Sequence, residues 1–206
     1  QWNHPRWWIE RLRRDHPREW QRVLEADNTQ APMTLRVNTR HGDRPSYQAA
    51  LAAAGLQAVP VGAAGLQLLR ARPVQALPGF AEGHCSVQDA AAQLAAPLLL
   101  EGLLGGAQGA GPLRVLDACA APGGKTAHLL ELAGPAIELT ALEVDAARSR
   151  RIDDTLARLG LRAKVVVADA GRPKEWWDGQ AFDAILLDAP CTASGIVRRH
   201  PDVRWL

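Results

Sequence analysis

The sequence predicts an α/β protein in which a doubly wound, parallel sheet fills the second half of the chain and a small α/β ancillary module precedes it. Three observations carry this expectation. Beyond residue 113, apolar runs of strand length alternate with amphipathic runs of helix length. The strand runs are almost wholly apolar, as in sheets covered by helices on both faces. A glycine-rich stretch, Gly105-Gly106-Ala107-Gln108-Gly109-Ala110-Gly111, separates this pattern from a differently patterned front part. The expected division is a module over residues 1–84 and a sheet domain over 85–206.

In the opening stretch, Trp8, Ile9 and Leu12 fall on one helical face and Trp20, Val23 and Leu24 on another. Two short amphipathic helices are expected, with Pro17 in the first turn of the second. Tryptophan and arginine interleave here, as they would to stack on and neutralise RNA, but core packing at i, i+3, i+4 already explains the tryptophans. Residues 33–38 alternate like a half-buried strand, with Leu35 and Val37 on one face and Arg36 and Asn38 on the other. Residues 46–54 read as an Ala-rich helix stopped by Gly55, and residues 56–61 as a strand. Ser86 and Asp89 have capping-box spacing, with Asp in place of the more usual Glu or Gln, ahead of an apolar helix ending near Leu100. After the glycine-rich joint come a strand (113–119), a helix (124–133), a strand (137–143), a helix (146–159) closed by Gly160, and strands at 163–169 and 182–188.

Composition narrows the class. With 206 residues, 47% hydrophobic and 22% charged, the chain can bury one generous core or two small ones. No apolar run approaches a membrane span and the N-terminus has no signal-peptide pattern, so no membrane partner and a cytoplasmic location are expected. Cys85, Cys119 and Cys191 are odd in number and widely spaced, which argues for reduced thiols and against a disulfide framework or a CxxC metal site. The net charge is +2, but residues 1–45 hold nine Arg against six acidic residues. That skew permits nucleic-acid contact without demanding it.

The chemistry concentrates at the strand ends. Asp117 with the turn Pro122-Gly123-Gly124, then Glu143, then Asp169, then Asp188-Ala189-Pro190 close the successive strands. Ligands of doubly wound sheets bind outside the carboxyl ends of the strands, so these side chains are expected to share one crevice. The run Cys119-Ala120-Ala121-Pro122-Gly123-Gly124-Lys125-Thr126 ends like a P-loop, yet Cys119 stands where the phosphate-wrapping turn needs glycine. ATP is therefore the runner-up, and a dinucleotide, which wants G-x-G-x-x-G, is weaker still.

S-adenosylmethionine fits better. It has no phosphate to cradle but presents a ribose diol for Glu143, an adenine amino group for Asp169, and a carboxylate for the backbone N–H groups of Gly123 and Gly124 together with Lys125. After the proline of the fourth strand stands Cys191, where amino-directed methyltransferases usually carry an aromatic residue. A thiol there suggests carbon chemistry, because carbon 5 of cytosine becomes nucleophilic once a thiolate adds to carbon 6. Asp188 can assist by hydrogen-bonding the ring nitrogen. A small buried filler is the alternative for Cys191, and the Cys119 thiol is expected to pack while its backbone lines the cofactor loop.

The segments LDACAAPGGKT, ILLDAPCTASGIVRRHPDVRWL, MTLRVN and CSVQDAAAQL, with the Glu143 and Asp169 strand ends, resemble the Sun/Fmu/RsmB-type family of bacterial ribosomal small-subunit (16S) RNA cytosine-C5 methyltransferases. The likeness covers nearly the whole chain. It implies a Rossmann-like class I methyltransferase sheet and cofactor contacts from Cys119, Ala120, Ala121, Pro122, Gly123, Gly124, Lys125, Glu143, Asp169 and Asp188. It also implies that Cys191 is an auxiliary cysteine for product release, the nucleophile being a second cysteine in a Thr-Cys motif on a later strand. The sequence ends before that strand, and the family's N-terminal helical RNA-binding domain is largely absent, so the chain reads as a piece of a longer protein. Glu143 replaces the family's usual Asp. Arg36, Arg198 and Arg199 become candidate phosphate contacts to ribosomal RNA, and a monomer is expected. Two alternatives stay open: an RNA-binding module with a vestigial cofactor pocket, and an enzyme using Cys191 itself as nucleophile.

Overall fold

The computed structural model describes residues 2–104, 111–192 and 194–205, so the glycine-rich joint lies outside the described residues except for Gly111. The chain divides into two compact units, Gln1–Ala31 with Pro190–Leu206, and Pro32–Ala189.

In the first unit, α1 (Arg6–Asp15) and α2 (Trp20–Asp27) are the two expected amphipathic helices. Trp8, Ile9, Leu12, Trp20 and Val23 are half-buried and Leu24 is fully buried. Pro17 lies in the turn before α2 rather than in its first turn. Arg204, 2% exposed, fastens the other end of the chain to these helices: its guanidinium donates to the carbonyls of Asn3 and Asp27 and to Asn28 Oδ1.

The second unit opens with an antiparallel sheet of order β2-β3-β1-β4, made of β1 (Met33–Val37), β2 (Ala58–Val61), β3 (Gly65–Leu68) and β4 (Cys85–Val87). Helix α3 (Arg44–Ala53), capped by Asp43 on the Ser46 amide, packs Tyr47 and Leu51 against Leu35, Val37, Leu66 and Leu68. Strand β1 is central and buried on both faces, because Thr34, Arg36 and the following Asn38 are as enclosed as Leu35 and Val37. The half-buried reading of this strand is corrected accordingly. Ser86 is not a helix cap either: it lies in β4, paired with Arg36, while Asp89 caps the Ala91 amide in the turn beyond. The first sheet therefore extends past residue 84, and the units follow no single cut at that point.

Helix α4 (Ala95–Leu104) leads into a parallel sheet of order β7-β6-β5-β8, built from β5 (Leu113–Asp117), β6 (Ile137–Glu143), β7 (Lys164–Val167) and β8 (Ala184–Leu186). Helices α5 (Gly124–Ala133) and α6 (Ala146–Arg158) join the first three strands. This is the doubly wound order, with its reversal between β5 and β8. Val115, Leu139 and Ala141 pack beneath Ala96, Leu129, Leu130, Ile152 and Leu156 of the helices. On the other face Leu116 and Leu142 are covered by Trp176 and Phe182 of the β7–β8 connection, while Ile185 and Leu187 remain 56% and 64% exposed. The expectation of helices over both faces is thus not met among the described residues. The apolar character of the strands still marks both faces as surfaces for burial.

Candidate active site at the carboxyl ends of the parallel strands

The connection from β5 to α5 is a tight turn. The Gly123 amide donates to Ala120 O at 2.7 Å, and the Ala127 amide to Gly123 O at 2.8 Å, starting the helix. Gly123 sits at φ +94°, and a Cβ there would lie 3.2 Å from Ile152 Cα. Only glycine admits this approach of loop to helix α6. From α6, Thr155 Oγ1 donates to Pro122 O at 2.8 Å and Arg148 Nη2 to Ala121 O at 3.4 Å. Ala118 and Ala120 donate to the carbonyls of Leu186 and Leu142, so the loop is stitched to both neighbouring strands.

Because the Gly123 N–H is consumed inside the turn, it is not offered to a ligand, and that expectation is corrected. The orphan donors of the first helical turn belong to Gly124, Lys125 and Thr126.

Around this loop the charged groups gather. Asp117 is 1% exposed; its Oδ2 accepts from Thr126 Oγ1 at 2.7 Å, while its Oδ1 is buried with no partner among the described residues. Burial pushes its pKa up, against the pull of the Thr126 hydroxyl and the Lys125 charge. Lys125 Nζ forms an ion pair with Asp188 Oδ2. Glu143 is 3% exposed; its Oε1 accepts from the Asp145 amide at 3.1 Å and faces Arg148 Nη1 at 3.5 Å. The half-buried Cys119 thiol is pushed up first by burial and then by the charges of Glu143, Asp117 and Asp188. Thr126 ties Asp117 to the loop, Lys125 ties Asp188, and Arg148 links Glu143 to the Ala121 carbonyl, so three of the strand-end carboxylates border one loop.

Asp169 behaves differently. Its Oδ1 caps the Gly171 amide at 2.8 Å and its Oδ2 faces Arg172 Nε at 3.6 Å. Cys191, Arg198 and Arg199 belong to the first unit. Cys191 and Arg199 are exposed there, and the half-buried Arg198 donates to Thr29 Oγ1 and Gln30 O.

Arg36 is misread as a phosphate contact. Its side chain has no exposure: Nε and Nη2 grip Glu131 at 3.0 and 2.8 Å, and Nη1 donates to Gln88 Oε1 and Gly124 O. The sequence signal pointing to Asp117 as a site group, a carboxylate ahead of a small-residue turn, was visible. What it lacked was the burial that leaves one oxygen unpartnered.

The parallel sheet of order β7-β6-β5-β8 has the strand order of a Rossmann-like fold, and comparisons with known proteins bear on the fold and family. Residues 111–206 match the family described as 16S rRNA methyltransferase RsmB/F, and residues 4–75 match the ferredoxin-like domain of RsmF/B-like methyltransferases. The chain belongs to the RsmB/F family. Among its relatives, ribosomal RNA small subunit methyltransferase B of Vibrio cholerae serotype O1 is 49% identical over 207 residues, covering 100% of this chain and 46% of the relative. The protein of the same name from Xylella fastidiosa strain 9a5c is 52% identical over 201 residues, covering 97% and 46%. The chain therefore spans about half the length of the curated RsmB/F relatives it matches. Among solved structures, PH0851 superposes with a TM-score of 0.86 at 30% identity, over 99% of this chain and 46% of that one. A methyltransferase homologue from Pyrococcus horikoshii superposes with 0.73 at 28% identity, over 95% and 66%.

Proposed function

We propose that this chain binds S-adenosylmethionine at the carboxyl ends of the parallel strands β5–β8 and forms the methyl-donor half of an enzyme that methylates carbon 5 of a cytosine in small-subunit ribosomal RNA. The observation that carries the reading is the gathering of Asp117, Glu143 and Asp188 around the Cys119–Lys125 loop at the start of α5. The chemistry of the donor set fits the cofactor. The Asp117 oxygen that lacks a partner suits an ammonium group, and the first-turn amides of Gly124 and Lys125 suit a carboxylate. Glu143, held by the Asp145 amide and Arg148, suits a ribose diol, and Asp169 an exocyclic amine. When bound, the cofactor supplies an electrophilic methyl group on a sulfonium.

The remaining roles fall to this chain's own side chains. Asp188 is assigned to hydrogen-bond the cytosine ring nitrogen, and the Lys125 ammonium paired with it to stabilise charge on the adduct. Cys191 is assigned as the auxiliary thiol, on the strength of the family resemblance. Arg198 and Arg199 are assigned to RNA phosphates, and the methylated RNA is inferred from the names of the relatives.

Calorimetric titration of the chain with S-adenosylmethionine tests the cofactor site. Saturable binding is expected, weakened at least about tenfold in Asp117→Asn, which keeps an acceptor for Thr126 but cannot pair with an ammonium. Absence of binding by the parent chain rejects the reading.

A further inference from the structure

The cofactor loop is shaped from within the chain by a residue of the other sheet. Strand β1 sends Arg36 under helix α5, where its guanidinium makes a two-bond fork with Glu131 and uses its third nitrogen on the Gly124 carbonyl at 2.8 Å. Gln88, just past β4, holds the same nitrogen at 2.5 Å and lies beside Gly124. The Gly124 carbonyl and the Lys125 N–H share one rigid peptide plane and point in opposite directions. Fixing that carbonyl therefore fixes the direction of the Lys125 N–H, one of the orphan donors opening toward the strand ends. Lys125 also carries the ammonium paired with Asp188.

Resting on the cofactor reading above, we infer that Arg36 is a positioning residue: through Gly124 it sets the first turn of α5, making the antiparallel module a working part of the S-adenosylmethionine site. A fork of this kind is specific to guanidinium. Its planar donors satisfy a carboxylate bidentately and still leave one N–H edge for a carbonyl, which an ammonium on a flexible stem does not reproduce. A purely adhesive role between the two sheets would be met as well by apolar packing, since buried ion pairs are commonly replaced by hydrophobic groups without loss of stability.

That difference supplies the test. Arg36→Met combined with Glu131→Met removes both charges together and leaves no uncompensated ion, so the chain is expected to fold with a melting temperature near that of the parent. Two measurements are made on each protein, well below its melting transition. The first is amide hydrogen exchange without ligand, where faster exchange is expected at Ala127 and His128, whose amides close the first turn of α5, and unchanged exchange in α6 and β6. The second is titration with S-adenosylhomocysteine, where affinity is expected to fall roughly tenfold, the scale of coupling between linked sites. Unchanged exchange at Ala127 and His128, or exchange raised equally in every helix, overturns the inference. Should the parent chain fail to bind S-adenosylhomocysteine, the cofactor reading falls, and the exchange comparison still decides what Arg36 does to the turn.

Discussion

Gly123 and His128 show how single positions are held to one identity for different reasons. At φ +94°, with the Ile152 backbone 3.2 Å from where a Cβ would stand, Gly123→Ala meets both left-handed strain and a close contact. The strain alone costs about 1–2 kcal/mol, so the variant is expected to lose at least that much in urea unfolding and to bind cofactor more weakly. His128 lies inside α5, 4% exposed, with its pKa pushed down to about 3 by burial and by the nearby Arg36 charge. It is neutral when folded and titrates near 6.5 when unfolded, so the unfolded chain takes up the proton first as pH falls. Stability is therefore expected to decline from pH 6.5 downward, by up to about 1.4 kcal/mol per pH unit from this group. Subtracting the same curve measured for His128→Leu isolates that slope, and identical acid limbs would contradict it. Neither position announces its constraint by residue type alone. The glycine could be inferred from its place between a strand and a helix, whereas the histidine's burial depends on what packs over α5.

At the level of elements, helix α6 is the common brace of the second unit. It holds the β5–α5 loop through Arg148 of its first turn and through Thr155, and its last residue, Arg158, reaches the antiparallel module. There the guanidinium donates to Phe80 O, Cys85 O and Ser86 Oγ and stacks 4.2 Å over the Phe80 ring. Burial lowers the Arg158 pKa without abolishing its charge. Removing it strands buried acceptors, so Arg158→Ala is expected to cost about 2–3 kcal/mol and to let the antiparallel module unfold ahead of the parallel sheet. Two transitions in urea, with exchange protection lost first in β1 and β4, are the signature; a single unshifted transition would count against it. The Asp145 cap of α6 emerged from the structure, whereas the helix itself was legible as the run over residues 146–159 closed by Gly160. Strand β4 was not, because three residues carry too little periodicity, and Ser86 and Asp89 imitated a helix start.

For the molecule as a whole, the first unit joins the two ends of the sequence. Arg204 satisfies acceptors on Asn3, Asp27 and Asn28, and its burial means that these groups have lost water in exchange. Arg204→Ala is expected to melt α1 and α2 at a lower temperature than the parallel sheet, read as an early loss of helical circular dichroism. A melt superimposable on the parent's would show that the unit stands without this tie.

Taken alone, the sequence determined the order and kind of elements in the parallel half, with α5 and β6 placed over the same residues the structure shows, and it located an acid at each strand end, of which Asp169 turns to Gly171 and Arg172 in its own loop. These signals are local: apolar runs, a glycine turn and an acid at each strand end are read within a few residues of one another. Tertiary structure alone decided that Arg36 faces inward, that Asp117 keeps an unpartnered oxygen, and that Lys125 and Asp188 are paired. The first and the last depend on partners far away in sequence, as Arg36 and Glu131 are, and burial, whether of the Asp117 carboxylate or of a strand's second face, is set by what the fold lays against it rather than by the strand's own pattern.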